Sequence, residues 1–92
     1  MLERTVAVIN PLGLHARAAA KLVRLANTFE SRVILRREDT GVEADAKEIL
    51  SVLHIAASCG VSLRITADGP DEEKSMTAVE DLFALGFGEI QV

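Results

Sequence analysis

At 92 residues the chain has room for one hydrophobic core, so residues 1–92 read as a single domain. An apolar share of 49% supports a packed fold without staples, and a net charge of −4 argues against nucleic acid as a partner. A single cysteine forms no internal disulfide, and no apolar run reaches the roughly 18 residues of a membrane span, so a reduced, cytoplasmic protein without membrane insertion is expected.

Leu2 to Ile9 alternates around Val6 and Val8, the period of a half-buried strand. Asn10-Pro11-Leu12-Gly13-Leu14 breaks that pattern and reads as a loop. From Ala16 to Phe29 the spacing turns helical. Ala19, Leu22, Val23, Ala26 and Phe29 share one face, and Arg17, Lys21 and Arg24 lie off it towards water. Arg32 to Arg37 is a β-branched strand with Val33 and Leu35 inward, and Glu38-Asp39-Thr40-Gly41 turns the chain into a short strand over Val42–Ala46. Glu48 to Ser58 reads as a second helix capped by Gly60. Val61, Leu63 and Ile65 then alternate with Ser62, Arg64 and Thr66 in a fourth strand. Pro70 is expected in the first turn of a third helix, and Asp71, Glu72 and Glu73 complement its positive start and need no other role. Met76, Val79, Leu82 and Phe83 carry that helix to a stop at Gly86.

The order β-α-β-β-α-β-α predicts an α+β fold, an open-faced β-sandwich in which three helices cover one face of a four-stranded antiparallel sheet. The other face, with Thr5, Ala7, Arg32, Arg36, Arg64 and Thr66, is mixed enough to be solvated. A ferredoxin-like sheet shares the first six elements; the third helix argues against it.

The chemistry concentrates at one helix start. The loop delivers His15 to the first turn of the first helix, with Arg17 two positions on. Unpaired N–H groups and a partial positive charge make such a start a phosphate site, and a guanidinium adds charge-assisted bonds. Position alone equally suits a capping histidine beside a solvated arginine. His54, in mid-helix, reads as a surface residue. Cys59 has no partner at ligand spacing, so neither a metal site nor a nucleophilic cysteine is expected.

Gly13-Leu14-His15-Ala16-Arg17 resembles the active-site signature of HPr, the histidine phosphocarrier family of the bacterial phosphotransferase system. The element order, Phe29 after the first helix and Lys47-Glu48-Ile49-Leu50 at the second are similar as well, so the resemblance spans nearly the whole chain. The stretches Gly41-Val42-Glu43-Ala44 and Leu85-Gly86-Phe87 look closer to the nitrogen-branch members than to the sugar-uptake form. The resemblance implies that Enzyme I, charged by phosphoenolpyruvate, phosphorylates His15 on Nδ1, that Arg17 contacts the phosphate, and that an Enzyme IIA-type protein takes the group. Such a chain is a carrier rather than a stand-alone catalyst, and no cofactor is implied.

Two positions depart from the family. Ala18 stands where proline is usual, which keeps a backbone donor that proline lacks. Alanines at 16 and 18–20 also let the helix sit close to the sheet. Glu48 replaces a serine that a regulatory kinase phosphorylates in many Gram-positive members, so that switch is expected to be absent. The carboxylate either complements the helix start or fixes a charge like that of the phosphorylated form.

In the second helix Ile49, Val52 and Ile55 form a stripe able to reach the core, while Leu50 and Leu53 are displaced from it and expected to be exposed. An apolar patch beside a reactive group suits docking. In HPr-like proteins this helix and the first form the partner surface, which implies contacts from Ala16, Arg17, Ala20, Arg24, Ile49, Leu50 and Leu53. Regulatory proteins are further partners if the domain acts as a phosphorylation-dependent docking module. A small acylphosphatase would want an arginine in the glycine-rich loop and a strand asparagine; here the loop delivers His15 and no strand carries an asparagine.

Overall fold

The computed structural model describes residues 1–89. Strand β1 (Leu2–Ala7) is followed by helix α1 (Ala16–Ala26), strands β2 (Arg32–Arg37) and β3 (Glu43–Asp45), helix α2 (Ile49–His54), strand β4 (Ser62–Asp68) and helix α3 (Glu72–Ala84). A one-turn 3₁₀ segment, Gly86–Gly88, follows. The strands form one sheet in the order β1-β4-β2-β3, with every neighbouring pair antiparallel. This is the open-faced α+β arrangement that the alternation and helical spacing lead one to expect.

Period-two alternation sets which residues meet the helices. Val6 pairs with Leu63, and Leu35 lies between Ile65 and Ala44, placing their side chains on the helix-covered face. Leu22, Val33, Leu35, Leu63, Ile65, Val79 and Phe83 are buried there. On the open face Arg36 stands directly opposite Arg64. Glu43 lies 3.9 Å from Arg36, and Glu38 lies 3.4 Å from Arg64, which offsets that like-charge pairing.

The elements stop earlier than their hydrophobic patterns do. Strand β1 ends at Ala7, although the Val8 N–H still donates to the Val61 carbonyl at 2.9 Å. Helix α1 ends at Ala26, not Phe29, because the Asn27 amide donates to the carbonyls of Val23 (2.8 Å) and Lys47 (3.1 Å), turning the chain. Helix α2 spans Ile49–His54 rather than Glu48–Ser58. Arg37 donates to the carbonyls of Ile55 (3.2 Å) and Ala56 (3.1 Å), satisfying acceptors that a longer helix would have used. The left-handed residue that closes α2 is Ala56, at φ 52°. Gly60, the expected cap, instead donates its N–H to the Val8 carbonyl at 2.8 Å.

Helix α3 begins at Glu72 with Asp71 as N-cap, so Pro70 precedes the helix rather than opening its first turn. Asp71 also does more than compensate a dipole. Its carboxylate accepts the N–H groups of Glu30 (2.9 Å) and Ser31 (2.8 Å) and the Ser31 hydroxyl, tying the α1–β2 turn to the start of α3. The Ser31 hydroxyl first, then the Glu30 N–H, hold this carboxyl below its ordinary value of 3.8. A group depressed on folding stabilises the fold above its unfolded value and loses that contribution as pH falls through the folded one. Asp71→Asn should therefore unfold at lower urea than the parent near neutral pH, with the gap narrowing at a pH well below 3.8. Urea titrations at the two pH values check it.

Candidate functional site

The segment before α1 is fixed by its own backbone. Gly13 donates to the Asn10 carbonyl at 3.0 Å, Leu14 donates to the Ala57 carbonyl at 2.8 Å, and the Asn10 amide reaches the Gly13 carbonyl at 2.7 Å. Gly13 sits at φ +65°, and a Cβ there would lie 2.5 Å from the Ala57 oxygen. His15 follows as the N-cap of α1, with extended backbone (φ −74°, ψ 179°) and a side chain that makes no capping bond. The first intrahelical bond runs from the Ala19 N–H to the His15 carbonyl at 2.8 Å. The N–H groups of Ala16, Arg17 and Ala18 therefore precede the helical ladder, at the positive end of the helix.

The opposite wall comes from the far end of the chain. Gly86, Phe87 and Gly88 run through three consecutive positive φ values of 58°, 59° and 74°. Such a value is an outlier for a bulky residue. It is held here because Phe87 is buried edge-on to Phe83, with ring centroids 4.9 Å apart at 73°. Lys21 adds a hydrogen bond from Nζ to the Phe87 carbonyl at 2.6 Å. The expectation that Lys21 merely faces water is thus corrected: its ammonium anchors this turn.

That turn carries Glu89 to His15. Oε2 lies 2.6 Å from the His15 Nε2, and Oε1 accepts from the Asn10 amide at 2.9 Å. The Glu89 side chain is 14% exposed and the His15 ring 29%. The Asn10 hydrogen bond is the largest influence holding the Glu89 carboxyl below its ordinary 4.5. Burial opposes it, and the His15 hydrogen bond and the charges of His15 and Lys21 assist it. An ionised carboxylate only accepts hydrogen bonds, so the proton of that contact belongs to Nε2. The lone pair of a neutral ring is then left on Nδ1.

Arg17 and Ala16 are exposed and line the same cleft as His15, with Leu12, Lys21 and Glu89. Among the described residues Arg17 pairs with no carboxylate. Ala18 is fully buried, where a small side chain lets α1 approach the sheet. Farther along α1, Ala20 is half-buried and Arg24 exposed. On α2, Leu50 is 78% exposed and Ile49 39%. Leu53, expected outside, is half-buried and packs on the core, whereas Ile49, read as reaching the core, is on the surface. A helix of six residues seats only Val52 and the following Ile55 on the interior. Glu48 is the exposed N-cap of α2 and its carboxylate makes no capping bond. His54 is exposed, and Cys59, also exposed, directs its thiol to the Ile9 carbonyl at 3.7 Å. No helix is long and apolar enough to cross a membrane among the described residues.

Asn10, Lys21 and Glu89 are the site residues that sequence reasoning missed. A family model described as the PTS HPr component phosphorylation site matches residues 2–84. The chain is 47% identical over 89 residues to the phosphocarrier protein HPr of Cupriavidus necator, covering 97% of this chain and 98% of that one. It is 40% identical over 88 residues to the phosphocarrier protein NPr of Escherichia coli, covering 96% and 97%. The crystal structure of HPr-C-His from Thermoanaerobacter tengcongensis is similar over 99% of this chain and 100% of that one, at 34% identity and a TM-score of 0.91.

Proposed function

Because the chain belongs to the HPr family of phosphocarriers of the phosphotransferase system, we propose that it is a cytoplasmic carrier that accepts a phosphoryl group on Nδ1 of His15 from phosphoenolpyruvate-charged Enzyme I and passes it to an Enzyme IIA-type protein. The contact between His15 Nε2 and the Glu89 carboxylate is the observation that supports the choice of atom. It occupies one ring nitrogen as a donor and leaves the other as the nucleophile. The Nδ1 lone pair forms the new N–P bond as the donor's bond to phosphorus breaks with its electrons.

Around the transferred group, Arg17 and the leading N–H groups of α1 offer donors to its oxygens. The helix-start contribution is about 0.3–1 kcal/mol at an exposed site, small enough for the group to leave again. Ala18 contributes an N–H at the third helical position where the family's usual proline would have none. The exposed Leu50 and Ile49, with Leu53 at their edge and Ala16, Ala20 and Arg24 on α1, make the surface on which both partners dock. Glu48 gives α2 a negative start without a hydroxyl to modify.

Incubation with phosphoenolpyruvate and Enzyme I tests this reading. One acid-labile phosphoryl group per chain is expected, transferable to an Enzyme IIA-type domain. No uptake under conditions that charge another HPr-type carrier would leave only a docking role.

A further inference from the structure

We propose, building on the carrier reading above, that Glu89 is a positioning residue which keeps the proton on His15 Nε2 through both transfers, and that Asn10 locks Glu89 in place. When Nδ1 takes the phosphoryl group, the donor keeps the electrons of its broken bond and the ring, still bearing its Nε2 proton, becomes cationic. That charge forms beside Oε2, at 2.6 Å from Nε2. On release the N–P electron pair returns to Nδ1 and the leaving group is neutral imidazole. A ring stripped of its Nε2 proton would have to depart as an imidazolate, a far poorer leaving group. The carboxylate thus favours acceptance and keeps the ring competent for donation.

Two features of the structure point to a carboxylate placed for this task. Asn10 is fully buried and donates to the Gly13 carbonyl (2.7 Å) and to Glu89 Oε1 (2.9 Å). Its own Oδ1 is buried with no hydrogen-bond partner among the described residues. Turning the amide over would satisfy neither acceptor, so its orientation serves the loop and the carboxylate at the expense of its own oxygen. The second feature is the turn itself. Phe87 accepts φ 59° between two glycines, pinned by Phe83 and by Lys21, and the outcome of that strained path is the delivery of Glu89 to a ring 74 positions away in sequence. Among the described residues, the other charged groups facing the cleft, Arg17 and Lys21, are cations. They can attract the phosphoryl oxygens, but neither can accept the Nε2 proton.

Glu89→Gln in the full chain is the test, because glutamine keeps the shape of the side chain and loses its charge. Nitrogen-15 NMR of the uncharged protein should show the Nε2–H tautomer losing population. In the phosphorylated protein, the pH below which the phosphoryl group hydrolyses rapidly should fall by about one unit, a tenfold change in the protonated fraction. Charging by Enzyme I should become slower without being abolished, because the carboxylate no longer faces the charge that forms on the ring. Asn10→Ala should move the same profile in the same direction by less. A Glu89→Gln protein that charges normally, with the tautomer and hydrolysis profile of the parent, overturns the proposal. Failure of the parent to take up phosphoryl groups overturns the carrier reading instead.

Discussion

Replacing His15 by alanine should abolish phosphoryl uptake from Enzyme I and leave the chain folded. The ring is 29% exposed and makes no capping bond to α1, so its removal takes nothing from the core and deprives no helix N–H of a partner. The unfolding midpoint should stay close to that of the parent, as for other surface substitutions. Uptake should fall to background, because among the described residues no second side chain lining the cleft is a competent acceptor. The other groups lining it are a guanidinium, an ammonium, a carboxylate and apolar or backbone atoms. His54→Ala and Cys59→Ser serve as controls and should charge like the parent; both residues lie on or after α2, outside the lining of the cleft. Label measured after acid and after alkali separates a phosphohistidine from an ester. Label retained by His15→Ala would move the acceptor elsewhere and remove the basis of the proposed function.

Half of this site is legible in the amino-acid sequence because it is local along the chain. A proline and glycine loop, a histidine at a helix start and an arginine two residues on are neighbours along the chain, and the spacing places them together. The other half is assembled by packing. Glu89 lies 74 residues from His15, and the Lys21 contact with the Phe87 carbonyl spans 66. No periodicity links such positions; the nearest signal is Gly86, which reads only as a helix stop. Helix ends depart from the apolar pattern for a related reason. The apolar pattern of α1 runs on to Phe29, but Asn27 finds the Lys47 carbonyl across the fold. At α2, alanine gives no hint of the left-handed geometry that Ala56 adopts, while Gly60 invites it without ending the helix. Asp71 looked like one member of a charge run until folding brought Ser31 to it. The sheet was more legible, since strand alternation reports burial directly and does not depend on a distant partner.

Gly13→Ala should destabilise the fold by about 2–5 kcal/mol and slow phosphoryl transfer even in the molecules that remain folded. Two costs combine. The residue sits at φ +65°, where a Cβ costs about 1–2 kcal/mol. The new methyl would also lie 2.5 Å from the Ala57 oxygen and 2.8 Å from the Ser58 Cα, and both are backbone atoms that cannot rotate away. Overpacking of this kind typically adds about 1–3 kcal/mol. The chain can relieve it only by parting the loop from the segment after α2, which stretches the 2.8 Å bond from Leu14 to the Ala57 carbonyl. Leu14 immediately precedes His15, so the relief moves the acceptor ring relative to Glu89 and to the start of α1. Gly60→Ala separates the two costs: Gly60 has φ +95° and nothing within 4 Å of an added Cβ, so it bears the conformational cost alone. Urea unfolding of both variants, with transfer rates measured under conditions where each is folded, gives the comparison. Gly13→Ala should be the less stable by about 1–3 kcal/mol, and it alone should transfer slowly. Equal destabilisation with unchanged transfer in both would mean that the close approach of Gly13 to Ala57 does not set the position of His15.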